Sequence, residues 1–197
     1  MALAQLLVCL LLGYALGSIP FGLVVSRLGG GPDPRTIGSH NIGATNVLRS
    51  GRRDLAAATL VCDALKGTFA VGVGFQIADY AGADVAALGA FLGHLFPVWL
   101  KFNGGKGVAT FLGCLIALNF PAAAVFAAVW LFIAWWRRFS SLAALSAAAA
   151  ALLYLFLSGD FDDGLLYVVL TLLLFWKHGG NIRRLRVGAE SRIGGAP

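Results

Sequence analysis

Residues 108–136 form the stretch VATFLGCLIALNFPAAAVFAAVWLFIAWW, which contains no charged residue. Its length bears on the number of membrane crossings, because 29 residues are long for one helix and short for two. Asn119-Phe120-Pro121 interrupts it near the middle. Proline favours the first turn of a helix and restricts the residue before it. The stretch therefore predicts one helix ending at Asn119 and another beginning at Pro121.

The composition of the whole chain indicates a membrane protein. Hydrophobic residues make up 59% of the 197 residues and charged residues 12%, whereas a typical soluble domain is about 25% charged. The sequence lacks the period-two alternation of transmembrane barrel strands. We therefore predict an all-α integral membrane protein with one membrane-embedded domain over residues 1–197.

Seven apolar segments are candidate transmembrane helices. The first has no positive charge before it and Arg27 after it, the reverse of a cleavable signal peptide, so we expect it to be retained. The predicted spans are residues 3–26, 55–78, 85–100, 108–119, 121–136, 142–157 and 165–176.

The positions of the charges favour seven spans over six. With seven, every Lys and Arg residue except Lys66, which lies within a span, falls on one side of the membrane. A six-span arrangement would place Arg137 and Arg138 on the other side. Because basic loops remain in the cytoplasm, we predict an N-terminus outside and a cytoplasmic C-terminus. The loops on the outer side contain only acidic charges: Asp79, Asp84, Asp160, Asp162 and Asp163.

Two other kinds of function lack support. Cys9, Cys62 and Cys114 lie in separate apolar stretches without CxxC spacing, which predicts neither a disulfide framework nor a zinc site. The pI of about 9.7 is basic, but the chain has no soluble basic domain, so we predict no nucleic-acid partner.

The first cytoplasmic loop, GSHNIGATNVLRSG at residues 38–51, is polar but carries little charge. Hydroxyl, amide and backbone N–H donors together with an arginine are the groups that an anionic ligand needs. Turn formation explains the Asn, Ser and Gly residues equally well, so both interpretations stay open. The candidate residues are Ser39, Asn41, Gly43, Thr45, Asn46 and Arg49.

The glycine loop, FNGGKGVAT at residues 102–110, has a composition suited to phosphate. Lys106 supplies a positive charge, the glycines allow backbone N–H groups to approach an anion, and the next helix adds its N-terminal dipole. Leu100 and Gly107 occupy positions where a Walker A loop needs Gly and Ser/Thr. A flexible loop with a snorkelling lysine is the alternative. The glycines are Gly104, Gly105 and Gly107.

Three titratable residues lie within the predicted spans. Asp63 and Lys66 share one face of the second span at i, i+3 spacing. Because intramembrane charges are costly and usually paired, they indicate either a functional pair or an ion pair that orders the bundle. His94 lies late in the third span, just before the glycine loop.

The segment after the last span, KHGGNIRRLRVGAESR at residues 177–192, is basic and typical of binding to anionic lipid head groups. His178 could deprotonate or orient a hydroxyl group, and Asn181 follows closely, although such a histidine can also be incidental. Ser140 or Ser141 is expected to cap the sixth predicted helix at its cytoplasmic end.

Five motifs resemble, in order, those of the bacterial PlsY family of membrane acyl-phosphate:glycerol-3-phosphate acyltransferases. The resemblance runs from about Gly17 to Arg192, and His40 stands where a small or polar residue is expected. The motifs are GSIPFG (17–22), GSHNIGATNVLR (38–49), DALKG (63–67), GHLFPVWLKFNGGKGVAT (93–110) and HGGNIRRLRVGAESR (178–192).

The resemblance implies an acyltransferase of phospholipid biosynthesis that moves a fatty acyl group from acyl phosphate to the 1-hydroxyl of glycerol 3-phosphate. It implies a multi-pass enzyme of the bacterial inner membrane, with a cytoplasmic-face active site in contact with membrane lipid. It further implies no metal or cofactor, and coupling to the enzyme that produces acyl phosphate. The implied catalytic residues are His178, Ser39, Lys106 and Arg49. The implied substrate-binding residues are Asn41, Gly43, Thr45, Asn46, Gly104, Gly105, Gly107, Ser141, Asn181 and His94, supported by Asp63 and Lys66.

The expected mechanism is direct attack of the glycerol hydroxyl on the acyl carbonyl. His178 or a phosphate oxygen of the substrate would accept the proton, and Lys106 and Arg49 would stabilise the leaving phosphate. Because acyl phosphate is already activated, positioning and electrostatics can suffice without a covalent enzyme intermediate.

Two other functions compete with this one. A transporter of an organic phosphate would also need cationic donors and broken helices, but its site should lie near the midplane between repeated halves. The chain shows no internal repeat, and its donors cluster on one face. A purely structural membrane scaffold would leave the glycine loop unexplained.

Overall fold

The computed structural model describes residues 2–194, which contain helices and no strand. Pro34–Thr36 and Val98–Leu100 each form a short 3-10 turn. The all-α class predicted from the composition is confirmed. The helices are α1 (Leu3–Gly17), α2 (Phe21–Leu28), α3 (Ala44–Leu48), α4 (Arg53–Leu95), α5 (Val108–Leu118), α6 (Phe120–Arg137), α7 (Ser140–Leu157), α8 (Phe161–Lys177) and α9 (Gly179–Arg186).

Length and hydropathy identify fewer spans than the charge pattern predicts. Within residues 2–194, four stretches are long and apolar enough to cross a membrane, and the bent pair of α8 and α9 makes a fifth if it is one span. α5 is apolar but only 11 residues long. The seven spans and the orientation of the termini stay predictions. The four stretches are Leu3–Leu28, Arg53–Leu100, Phe120–Arg137 and Ser140–Leu157.

α4 is 43 residues long but is not straight. Ala78 and Asp79 have non-helical backbone angles. A straight helix would separate Asp63 from His94 by about 46 Å, yet Asp63 Oδ1 lies 3.6 Å from His94 Nδ1. The chain therefore folds back at this break, which separates a first arm (53–77) from a second arm (80–95). The predicted end of a helix at residue 78 is confirmed.

Small residues bring the backbone of α1 against the second arm of α4. A Cβ atom on Gly13 or Gly17 would overlap backbone atoms of the second arm, and one on Gly89 or Gly93 would overlap backbone atoms of α1. Small residues at such positions allow the close van der Waals contact that holds membrane helices together. These four glycines therefore form one internal helix contact.

The chain divides into two compact units, with the boundary between Leu118 and Asn119. α5 ends and α6 begins at this point, so the predicted helix break is confirmed. Asn119 caps α6, since its Oδ1 accepts a hydrogen bond from the Ala122 N–H at 3.0 Å. Pro121 lies in the first turn, where an N–H group has no intrahelical partner to lose.

α7 packs against both α6 and α8 within the second unit. Its buried face consists largely of alanine, whose small side chain lets neighbouring helices approach closely. The chain after α9 returns to the turn between α6 and α7, where the Ile193 N–H donates to the Arg138 carbonyl oxygen at 2.6 Å. The buried alanines of α7 are Ala143, Ala144, Ala147, Ala148 and Ala151.

Candidate functional site

Asn46 holds the first cytoplasmic loop together. Its Nδ2 donates to the carbonyl oxygens of Pro34, Ile37 and Asn41 at 2.6, 3.2 and 2.7 Å. Its Oδ1 accepts from the Ser39 N–H at 2.8 Å and from the Ser39 hydroxyl at 3.1 Å. Because both ends of this buried amide are engaged, Asn46 organises the loop. Its predicted part in the substrate pocket stays a prediction.

The same loop orients Ser39 and Arg49. The Ser39 hydroxyl donates a hydrogen bond to Asn46 Oδ1. Toward a ligand, the Ser39 oxygen can therefore act only as a hydrogen-bond acceptor. Gly38 has φ of 50°, and a Cβ there would come within 2.7 Å of Arg49 Cδ. The side chains of Ser39 and Arg49 are both half-buried. The folded loop therefore fixes the positions of one hydroxyl group and one guanidinium group.

Turn formation accounts for two other predicted residues of this loop. Asn41 Oδ1 accepts from the Gly43 N–H at 3.0 Å, which closes an Asx turn. Gly43 then forms the N-cap of α3, and Thr45 lies in the first turn of that helix. A direct contact between these three residues and a substrate stays a prediction.

The glycine loop is fixed to the end of α4 through its backbone. The Gly104 N–H donates to the Leu95 carbonyl oxygen at 3.2 Å, and the Gly105 N–H donates to the His94 carbonyl oxygen at 3.0 Å. The last carbonyls of a helix lack intrahelical partners, and here the loop provides them. Two of the N–H groups expected to face phosphate are therefore engaged within the protein, which corrects that expectation.

Lys106 and Gly107 lead directly into α5. Gly107 has φ of 84°, and a Cβ there would overlap the Phe91 ring, so glycine is required on both counts. Its carbonyl oxygen accepts from the Phe111 N–H at 2.7 Å and thereby starts the helix. A half-buried lysine thus precedes a helix N-terminus, an arrangement that favours a negatively charged ligand.

Asp63, Lys66 and His94 form a buried cluster next to this loop. Asp63 Oδ1 lies 2.7 Å from Lys66 Nζ and 3.6 Å from His94 Nδ1. Their residue exposures are 2%, 5% and 4%. The predicted i, i+3 pair is confirmed. The His94 ring lies against Gly105, where a Cβ would overlap Nε2. The predicted contact of His94 with a substrate stays a prediction.

The second unit contains a polar cluster around Glu190, a residue that the sequence did not single out. Glu190 Oε1 accepts hydrogen bonds from Ser141 Oγ and Asn181 Nδ2, both at 2.6 Å, and Oε2 accepts from Arg184 Nε at 2.7 Å. Burial raises the pKa of Glu190, but these three hydrogen bonds and the charge of Arg184 outweigh it and hold the pKa below its ordinary value. The carboxylate is therefore ionised at neutral pH.

Ser141, which was predicted to cap α7 or to bind substrate, donates its hydroxyl hydrogen bond to Glu190. Phe139 is the N-cap residue of α7, and Ser140 and Ser141 are the first two residues within the helix. The predicted capping by Ser140 or Ser141 is therefore wrong. The signal that could have identified Glu190 is its isolation, since it is the only acidic residue in the basic segment 177–192.

His178 lies at the bend between α8 and α9 and is 2% exposed. Its Nδ1 lies 2.8 Å from the Leu174 carbonyl oxygen. Because a carbonyl oxygen only accepts, Nδ1 carries the proton of the neutral ring, and Nε2 is then the basic nitrogen. Asn181 is one helical turn further along. This buried, oriented position is unlike that of an incidental tail residue.

The fold and these clusters define a helical membrane protein with a fixed glycine–lysine loop in one unit and an oriented histidine in the other. A family model described as glycerol-3-phosphate acyltransferase matches residues 7–188. The chain therefore belongs to the glycerol-3-phosphate acyltransferase family.

Curated relatives match nearly the whole chain. A glycerol-3-phosphate acyltransferase of Rhodopseudomonas palustris (strain BisB5) is 58% identical over 185 residues, covering 94% of each chain. One of Brucella canis is 53% identical over 191 residues, covering 97% of this chain and 94% of the relative.

Two solved structures share the fold. They are crystal structures of PlsY, an integral membrane glycerol 3-phosphate acyltransferase, in its glycerol 3-phosphate form and its lysophosphatidic acid form. Each is 36% identical and covers 95% of this chain and 94% of that chain, with TM-scores of 0.89 and 0.88.

Proposed function

We propose that the protein transfers a fatty acyl group from acyl phosphate to the 1-hydroxyl of glycerol 3-phosphate, giving lysophosphatidic acid and inorganic phosphate. The family match over residues 7–188 carries the proposal. The two ligand forms in which the PlsY relative was solved support this acceptor and this product. The acyl phosphate donor follows from the sequence resemblance, as does a reaction without metal or cofactor.

The reaction needs one nucleophilic displacement at the acyl carbonyl. The glycerol oxygen forms the new ester bond to the carbonyl carbon, and the bond from that carbon to the phosphate oxygen breaks. The hydroxyl proton goes to His178 Nε2 or to a phosphate oxygen of the substrate. His178 suits this role because its Nδ1 faces the Leu174 carbonyl oxygen, which leaves Nε2 as the basic nitrogen.

The first unit supplies positive charge for phosphate. Lys106 stands before the N-terminus of α5, and Arg49 ends α3 in the loop that Asn46 organises. These groups stabilise the negative charge that develops on the departing phosphate. The Ser39 hydroxyl donates a hydrogen bond to Asn46 Oδ1, so its oxygen is oriented to accept a hydrogen bond from a substrate hydroxyl.

The location of the reaction follows from the charge pattern. We place the first cytoplasmic loop, the glycine loop and the segment after α8 at the cytoplasmic face of the bacterial inner membrane, following the positive-inside rule. At that face the enzyme meets soluble glycerol 3-phosphate, and coupling to the enzyme that produces acyl phosphate would deliver the lipid substrate.

Purified protein in detergent tests the proposal. We expect acyl phosphate plus glycerol 3-phosphate to yield equal amounts of phosphate and lysophosphatidic acid. Lys106→Met should reduce the rate about 100-fold or more, through lost charge stabilisation. Lys101→Met is the matched control, because Lys101 is an exposed lysine five positions earlier, and its rate should stay near that of the wild type. An inactive wild type would refute the proposal, and substrate flux only in sealed vesicles would favour a transporter.

A further inference from the structure

Two backbone carbonyl groups at the junction between α1 and α2 accept hydrogen bonds from side chains elsewhere in the chain. α1 ends at Gly17 and α2 begins at Phe21, so the chain between them is not helical. The Ile19 carbonyl oxygen accepts a local hydrogen bond from the Phe21 N–H at 3.0 Å. Trp99 Nε1 donates to the Ser18 carbonyl oxygen at 2.6 Å, and Lys66 Nζ donates to the Ile19 carbonyl oxygen at 2.8 Å. Both donors come from distant parts of the sequence.

The same lysine connects this junction to the glycine loop. From Ile19 the contacts run through Lys66 to Asp63 and from Asp63 to His94, at 2.8, 2.7 and 3.6 Å. The His94 ring then lies against Gly105, with no space for a Cβ between them, and the His94 carbonyl oxygen accepts the Gly105 N–H. Three side chains, those of Asp63, Lys66 and His94, thus connect the α1–α2 junction, the two arms of α4 and the glycine loop.

The buried charges are poorly placed to hold a substrate. Lys66 contacts the Asp63 carboxylate and the Ile19 carbonyl oxygen, and the Phe21 ring lies 5.7 Å from its ammonium. Asp63 neutralises it, which removes the attraction for a phosphate. Thr110 connects the start of α5 to the first arm of α4, since its hydroxyl donates to the Asp63 carbonyl oxygen at 3.0 Å.

We propose that Asp63, Lys66 and His94 are positioning residues that hold the glycine loop, and hence Lys106, in register with the α1–α2 junction. They touch no substrate and act through the Gly105 backbone. This inference rests on the proposed function only in that substrate turnover reports the position of Lys106.

A double substitution separates positioning from simple stability. Removing one partner of a buried ion pair leaves an uncompensated charge, whereas replacing both partners with neutral groups is often tolerated. We expect Lys66→Met to lower the melting temperature strongly and Asp63→Asn/Lys66→Met to recover most of that loss. Besides its lower rate, Lys106→Met should raise KM for the phosphate substrate that Lys106 contacts. The double variant should raise KM for that same substrate about tenfold. A purely structural role predicts that KM recovers together with the melting temperature, and that result would overturn the proposal.

A second variant covers the case in which the double variant does not fold. His94→Asn leaves the Asp63–Lys66 pair intact but removes the ring that contacts Gly105. We expect a near-normal melting temperature and the same rise in KM. An unchanged KM in this variant would also overturn the proposal.

Calorimetric titration with glycerol 3-phosphate and with inorganic phosphate reads the position of Lys106 without turnover. Weaker binding by about tenfold in either variant supports positioning, and wild-type affinity contradicts it. An inactive wild type that still binds phosphate would refute the proposed reaction alone. The two failures are therefore distinguishable.

Discussion

The glycine loop in the first unit and the Glu190 cluster in the second are held by different kinds of contact. Backbone hydrogen bonds attach Gly104 and Gly105 to the carbonyl end of α4. Around Glu190, three side chains converge on one carboxylate. Main-chain groups therefore fix the glycine loop, whereas polar side chains that bind one another fix the Glu190 cluster. The first region is therefore sensitive to added volume and the second to lost charge.

The largest expected effect is an added methyl group in the glycine loop. Gly105→Ala places a Cβ on the His94 ring, so the loop must move. A displacement of about 1 Å at a catalytic group can reduce the rate about 100-fold, and we expect a loss of that size in acyl transfer. Gly72→Ala is the control, because no neighbouring atom lies within 4 Å of its Cβ position. That substitution should leave the rate unchanged, and equal rates for the two variants would contradict backbone fixation.

The Glu190 cluster should respond to loss of charge at constant shape. Glu190→Gln keeps the side-chain volume but replaces a carboxylate with an amide, which weakens three hydrogen bonds. We expect the free energy of unfolding to fall by about 1–3 kcal/mol. We expect the rate to fall about tenfold because Asn181 is held less firmly. Asp162→Asn, at an exposed acid of the same unit, is the control for loss of one charge. A Glu190→Gln variant as stable as this control would show that the cluster is not held by charge.

The pH dependence gives a finer test of the same cluster. The folded-state pKa of Glu190 lies below its ordinary value of about 4.5, so its contribution to stability is present above that value and lost as the pH falls through the lower pKa. We expect the difference in melting temperature between wild type and Glu190→Gln to be full at pH 7 and to shrink below pH 4.5. A difference that grows on acidification would contradict the assignment.

The smallest effect concerns labelling rather than activity. Arg53→Cys and Arg186→Cys lie on exposed residues predicted to face the cytoplasm, and Asp162→Cys lies on the predicted outer side. An impermeant thiol reagent should label the first two only in inside-out vesicles and the third only in right-side-out vesicles. Labelling of Arg53→Cys and Asp162→Cys from one side and of Arg186→Cys from the other would indicate six spans and refute the seven-span topology.

Local sequence signals predicted the helical class, the helix ends at residues 78 and 119, and the Asp63–Lys66 pair. Each depends on neighbours in sequence: an apolar run, a proline, or two charges one turn apart. The engagement of Gly104 and Gly105 could not be predicted, because it requires knowing that the loop returns to the end of α4. Glu190 was missed for a related reason, since its partners come from α7 and α9 and form no periodic pattern. Its isolation among basic residues was the only clue.

The most direct test of the central claim compares acyl donors. Purified wild-type protein receives glycerol 3-phosphate with acyl phosphate, acyl-CoA or acylated carrier protein, and mass spectrometry follows both the lipid product and the intact protein. We predict lysophosphatidic acid acylated at the 1-hydroxyl with acyl phosphate only, and no acyl adduct on the protein. Equal product from acyl-CoA, or an acylated serine or cysteine that turns over, would contradict direct transfer from acyl phosphate.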